Sequence, residues 1–136
     1  MLTSILPVVG VLVGASLQYF FTRYLEAQRY QRDLRTGAYL DYVKAVSGLA
    51  HLDDPQGSQE RDLLAIAADA KARICLYGSR QVVGAFASFE KLGAAVISPR
   101  QCESFVAMIV AMRKDSGNTS RARIEDVRQL LLGSKE

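Results

Sequence analysis

The sequence predicts an all-α protein: an N-terminal transmembrane helix continuing into an up-down four-helix bundle with a short C-terminal fifth helix. Three observations predict it. Residues 2–21, LTSILPVVGVLVGASLQYFF, contain no charged side chain. From Leu34 onward apolar residues return every three or four positions, the spacing of one helix face. Short runs of Gly, Ser, Pro and Asn punctuate that pattern, and nothing in the chain alternates with the period of a strand. At 136 residues one domain of ordinary size is expected, and 49 % apolar with 23 % charged residues excludes disordered and collagen-like classes. The expected division is an anchor over 1–22 and a cytoplasmic bundle over 23–136.

Twenty uncharged residues make about 30 Å of helix, the thickness of a bilayer's hydrocarbon core. A cleaved signal peptide would carry its positive residues before the apolar stretch, whereas here they follow it. An interfacial helix would show a charged face, and only Thr3, Ser4, Ser16 and Gln18 are polar here. A buried core helix is the remaining competitor, because Gly10, Gly14 and Ser16 moderate the hydrophobicity. If Thr3 or Ser4 caps the helix, Pro7 falls in its first turn, where a missing N–H costs nothing. Tyr19 and Tyr24, with Phe20 and Phe21, mark one membrane boundary. Arg23, Arg29, Arg32 and Arg35 follow at once, against Glu26 and Asp33, and no Lys or Arg precedes them. That asymmetry predicts an outside N-terminus and a cytoplasmic C-terminal part. The same four arginines fit either a solvated flank or contact with lipid headgroups. Gly10-x-x-x-Gly14 lets two helix backbones approach closely and is the candidate packing face for self-association.

The first helix is expected to run on through 23–52, with Leu34, Ala38, Tyr42, Ala45, Leu49 and Leu52 facing a core. Asp53-Asp54-Pro55-Gln56-Gly57-Ser58 breaks it, and Ser58 is the expected cap of a second helix over about 59–77. There Leu63, Ala67, Ala70, Ile74 and Tyr77 share a stripe, and Gly78 suits a left-handed C-terminal position. Ser79 is expected to cap a third helix over 80–97, with Val82, Val83, Phe86, Phe89, Gly93 and Val96 inward. Ser98-Pro99-Arg100-Gln101 reads as a capping box with Pro at the first helical position, opening a fourth helix over 99–116 lined by Phe105, Met108, Ile109 and Met112. Ser116-Gly117-Asn118 ends it. Thr119 or Ser120 then begins a short helix over 121–132, whose Ile124, Val127, Leu130 and Leu131 form an apolar face to be covered by the bundle or by a partner. Links of two to six residues favour antiparallel neighbours.

Little in the chain points to catalysis. No phosphate loop, dinucleotide fingerprint, nucleophile elbow or zincin motif occurs. Cys75, Cys102 and the single His51 cannot assemble a four-ligand zinc site. Both cysteines have apolar neighbours, which predicts buried thiols in a reducing compartment, with a Cys75–Cys102 disulfide as the alternative. Asp53 and Asp54 read as a helix terminus rather than a cation site, and His51 as a helix-end side chain. A net charge of +3 is too mild for nucleic acid, and the basic residues Arg113, Lys114, Arg121, Arg123 and Arg128 are interrupted by Asp115, Glu125 and Asp126. No cofactor and no small-molecule substrate is implied.

Residues 72–83, Ala-Arg-Ile-Cys-Leu-Tyr-Gly-Ser-Arg-Gln-Val-Val, together with the span and the Arg-rich flank, give a layout that resembles uncharacterised small bacterial single-pass membrane proteins. That resemblance implies an N-terminal transmembrane helix and a cytoplasmic helical-bundle domain, and no activity. The expected partners are the lipid bilayer and either a second copy of the chain or another membrane-associated protein. The expected role is a non-enzymatic tethered interaction module; the alternative is a membrane-perturbing effector or a phage-type lysis accessory whose span oligomerises.

Overall fold

The computed structural model describes residues 2–53, 57–118, 120 and 122–133, and these form five helices and no strand. They are α1 (Leu2–Ala50), α2 (Ser58–Tyr77), α3 (Arg80–Lys91), α4 (Pro99–Asp115) and α5 (Ile124–Leu132). Asp54, Pro55 and Gln56 of the expected break, Thr119 as a cap and Arg121 in the basic face lie outside the described residues. The chain divides into two compact units, Met1–Asp33 and Leu34–Glu136. The first is α-helix throughout its described residues, and every one of them is exposed.

The second unit owes its core to the expected stripes. Ala38, Tyr39, Tyr42, Ala45 and Val46 of α1 meet Ala67, Ala70 and Ile74 of α2, Val82, Phe86 and Phe89 of α3, and Phe105, Met108 and Met112 of α4. Tyr42 and Phe86 pack edge to face at 4.9 Å between centroids, and Phe89 lies 5.3 Å from Phe105. Contacts along the helices give their directions. Asp41 of α1 meets Arg73 near the end of α2, whereas a side chain at Gly48 would touch Leu63 near its start. Lys71 of α2 reaches Glu90 late in α3, whereas Gly78 adjoins Val83 early in it. Phe89 of α3 stacks with Phe105 early in α4, and Tyr39 of α1 bonds Asp115 at the end of α4. From α1 to α4 consecutive helices are therefore antiparallel, as short links favour.

Capping explains where each helix stops, and it corrects several expectations. Ser98 and Gln101 do form the capping box, and Ser79 accepts from the Val82 amide. Ser58 instead opens α2 as its first residue, with Gly57 at the cap and no side-chain bond. Gly78 is not left-handed, at φ −66° and ψ 150°. Glycine is required there for space, because a Cβ would sit 2.5 Å from the Ile74 carbonyl oxygen, which receives the Gly78 amide at 2.8 Å. α3 ends six residues before expected: Gly93 and Ala94 turn to positive φ, and the Ala94 and Gly93 amides return to Phe89 and Glu90. The apolar period runs through Gly93 and Val96 in sequence, but a positive-φ glycine ends a helix whatever its neighbours. Gln101 Nε2 donates to the Leu92 carbonyl at 2.6 Å, so the capping side chain of α4 also closes the end of α3. α1 begins at Leu2, ahead of Thr3 and Ser4, which leaves Pro7 in its second turn and the Thr3 carbonyl without the amide that would bond it. α5 begins at Ile124 with Arg123 at the cap, so Ser120 does not cap it.

Candidate functional site

The N-terminal segment is the first candidate. Its apolar window is long enough to cross a membrane, and none of it is buried. A core helix passes the same test of length and composition but is covered by its own chain, as this one is not. Leu6 is 73 % and Phe20 69 % exposed, although leucine and phenylalanine are residues that folding normally hides. The Ser16 hydroxyl donates to the Leu12 carbonyl at 2.8 Å, which satisfies a polar group within the helix itself. Gly10 and Gly14 both open to empty space, with nothing within 4 Å of a Cβ placed on either.

The four arginines that follow the apolar stretch are not equivalent. Arg23 donates through Nε to the Tyr19 hydroxyl at 3.1 Å, with its guanidinium carbon 5.6 Å from the centre of that ring. One turn on, Gln28 donates to the Tyr24 hydroxyl at 2.8 Å. Arg29 and Arg32 are exposed. Arg35 belongs to the second unit. Its Nη1 lies 3.6 Å from Asp115 Oδ1, and its Nε is buried without a hydrogen-bond partner. Around that pair, Tyr39 donates to Asp115 Oδ2 at 2.6 Å and accepts from the Ser79 amide at 3.3 Å, while Thr36 donates to Ser116. Burial first, and the bond to Asp115 second, push the Tyr39 hydroxyl up to about 12. Tyr42 is raised as well, chiefly by burial and then by Glu90, whose carboxylate it bonds at 3.1 Å. The surroundings of Arg35 are thus those of a structural junction joining α1, the α2–α3 turn and α4.

The face of α5 divides in two. Val127 is buried, and Leu131 and Leu132 pack against the core. Ile124 and Leu130 face outward, Leu130 being 85 % exposed. Leu132 joins the inner set although the sequence reading left it out.

Tertiary structure also gathers residues that no spacing connects. A cleft of about 430 Å³ is lined by Ala50, His51, Cys102, Glu125 and Arg128, among others. His51 Nδ1 lies 2.7 Å from the Ser47 carbonyl, which can only accept, so that nitrogen carries the proton and His51 closes the end of α1 as expected. No three potential metal ligands converge among the described residues, where Asp53 is present and Asp54 is not. Both cysteines are free. Contrary to expectation Cys75 is exposed and Cys102 half-buried, because Cys75 lies one residue past Ile74, which the helix turns inward. The outer side of α2 also holds the Arg73 guanidinium between Asp41 at 2.6 Å and Asp69 at 2.8 Å, Asp41 being the main cause of its raised pKa.

No protein-family model matches the chain, and neither a curated protein nor a solved structure does.

Proposed function

We propose that the chain is a non-enzymatic single-pass protein of a bacterial inner membrane, with its N-terminus outside and its helical bundle on the cytoplasmic side. The bundle serves as a tethered interaction module. The observation that carries this reading is that every residue of an uncharged stretch, 2–21, is exposed in a chain whose second unit buries a core of its own. An uncharged stretch of twenty residues with only four polar side chains is costly to leave uncovered in water, and a bilayer removes that cost. The four arginines that follow the stretch favour the inside orientation of the bundle.

Tethering is the mechanism. Confinement to a plane raises the effective concentration of one bundle toward another without new contacts, so a weak surface becomes sufficient. Two surfaces support association: Gly10 and Gly14, which leave room for a second backbone, and the outward pair Ile124 and Leu130. Self-association through the glycines is the first expectation, and a second membrane-bound protein on Ile124 and Leu130 the other.

The test is fractionation of the full chain at native levels, with a reporter at Glu136 and a mass measurement of the mature product. The reading requires that the protein resist alkaline carbonate, that the reporter lie inside, and that residues 2–21 be retained. Release by carbonate, an outside reporter or a product lacking the first twenty residues defeats it. Loss of membrane potential on expression would transfer support to the membrane-perturbing alternative.

A further inference from the structure

The geometry points to Arg23, oriented by Tyr19, as a site for the phosphodiester of a phospholipid headgroup. This rests on the reading that residues 2–21 cross the bilayer, and it adds which arginine meets the lipid and how.

Depth separates the candidates. Each leaflet's headgroup region is about 5–8 Å thick, the difference between a bilayer's full and hydrocarbon thicknesses shared between two sides. At about 1.5 Å per residue, Arg23 lies only about 3 Å past Phe21 along the helix, within that layer. Arg29 lies about 12 Å past it and Arg32 about 16 Å, both beyond it. Distance leaves Arg23 as the arginine at phosphate level.

Orientation adds the second argument. The Tyr19 hydroxyl takes the Nε hydrogen of Arg23, and the ring carries the guanidinium at 5.6 Å. Both Nη groups remain unengaged: among the described residues no carboxylate lies within 4.0 Å of Arg23, whereas Arg35 and Arg73 are each occupied by aspartate. The two Nη groups form the end of the planar fork that pairs with phosphate through two parallel hydrogen bonds. Holding that fork in place beforehand lessens the entropy lost on binding. Glu26 stands three residues on, on the same helix face, and opposes the anion. Tyr19 is a positioning residue.

Zwitterionic and anionic phospholipids share the phosphodiester, and only the second carries net charge. The full chain is released from detergent in a mass spectrometer after titration with phosphatidylcholine or phosphatidylglycerol, and the lipid-bound fraction is read. Wild type is expected to retain both lipids, phosphatidylglycerol more. Arg23→Gln lowers retention about five-fold, the effect of one arginine near an anionic surface. Arg23→Lys recovers part of it, Tyr19→Phe lowers it about two-fold, and Glu26→Gln raises it. Arg29→Gln leaves it unchanged. Equal retention by Arg23→Gln and wild type overturns the proposal, and so does an equal loss in Arg29→Gln, which would make the effect one of diffuse charge. A chain that carbonate strips from membranes fails the spanning reading itself; one that stays in the membrane while Arg23→Gln keeps its lipid fails this proposal alone.

Discussion

The two units are built from similar apolar residues used in opposite ways. In residues 2–33 valine, leucine and phenylalanine point outward on every side of the helix, and no described residue is buried. In Leu34–Glu136 one stripe of each helix turns apolar residues inward, and Phe89, Phe105, Ile74 and Met108 are sealed from solvent, while others such as Leu76 and Leu130 stay outside. Hydrophobicity alone does not specify a core; the angular distribution around the helix does. An all-round apolar helix wants lipid or a large interior, while a striped one wants neighbours in the same chain.

The largest expected effect tests that contrast directly. Phe89→Ala should lower the unfolding free energy of the full chain in detergent by about 3–5 kcal/mol, since it empties a sealed site against Phe105. Leu12→Ala should leave that value within about 0.5 kcal/mol, as an uncovered position would. A comparable loss from Leu12→Ala would erase the distinction between the units.

Glycines provide the next comparison. Gly78→Ala forces a methyl group toward the Ile74 carbonyl and is expected to cost about 1–3 kcal/mol in the same denaturation measurement. Gly10→Ala meets nothing and should not move the bundle's midpoint. If Gly10→Ala changes anything, the change should appear in crosslinked dimer yield from membranes instead.

Tyr39→Phe is smaller, about 1–2 kcal/mol, because it strips Asp115 and the Ser79 amide of one partner each. Its pH signature sharpens the test. A tyrosine raised from 10.0 to about 12 contributes stability that is fully present below pH 10 and lost as pH rises toward 12, since the folded state then holds a proton that the unfolded state has released. Denaturation midpoints followed from about pH 8 to about 12 should fall in that window, less steeply in Tyr39→Phe, with raised Tyr42 supplying the remainder.

The smallest effect compares the two sides of α5. Leu131→Ala should cost about 1 kcal/mol, the loss of a half-buried aliphatic side chain, and Leu130→Ala less than about 0.5 kcal/mol. Reversal of that order in a denaturant titration would mean that Leu130 carries the packing.

Period and punctuation made most of the bundle legible. Ser98-Pro99-Arg100-Gln101 identified the start of α4 because a capping box is a local hydrogen-bond circuit needing no distant partner. The end of α3 was not legible, because Gly93 fits a helical stripe and a left-handed turn equally well; in the fold Gly93 takes the turn, and Gln101 reaches back to Leu92 across it. Cys75 was misjudged because its neighbours in sequence are apolar, whereas burial depends on helix phase.

By itself the sequence determined what is additive and local: one uncharged span's length, the charge asymmetry around it, and the number and order of helices. Tertiary structure decided what depends on residues far apart in the chain. It turned Arg35 toward Asp115, divided the face of α5 between core and surface, and brought His51, Cys102 and Arg128 to one cleft. The physical reason is range: helix propensity and hydrophobic period act within a few residues, while an ion pair or a packed side chain exists only once distant helices have taken their places.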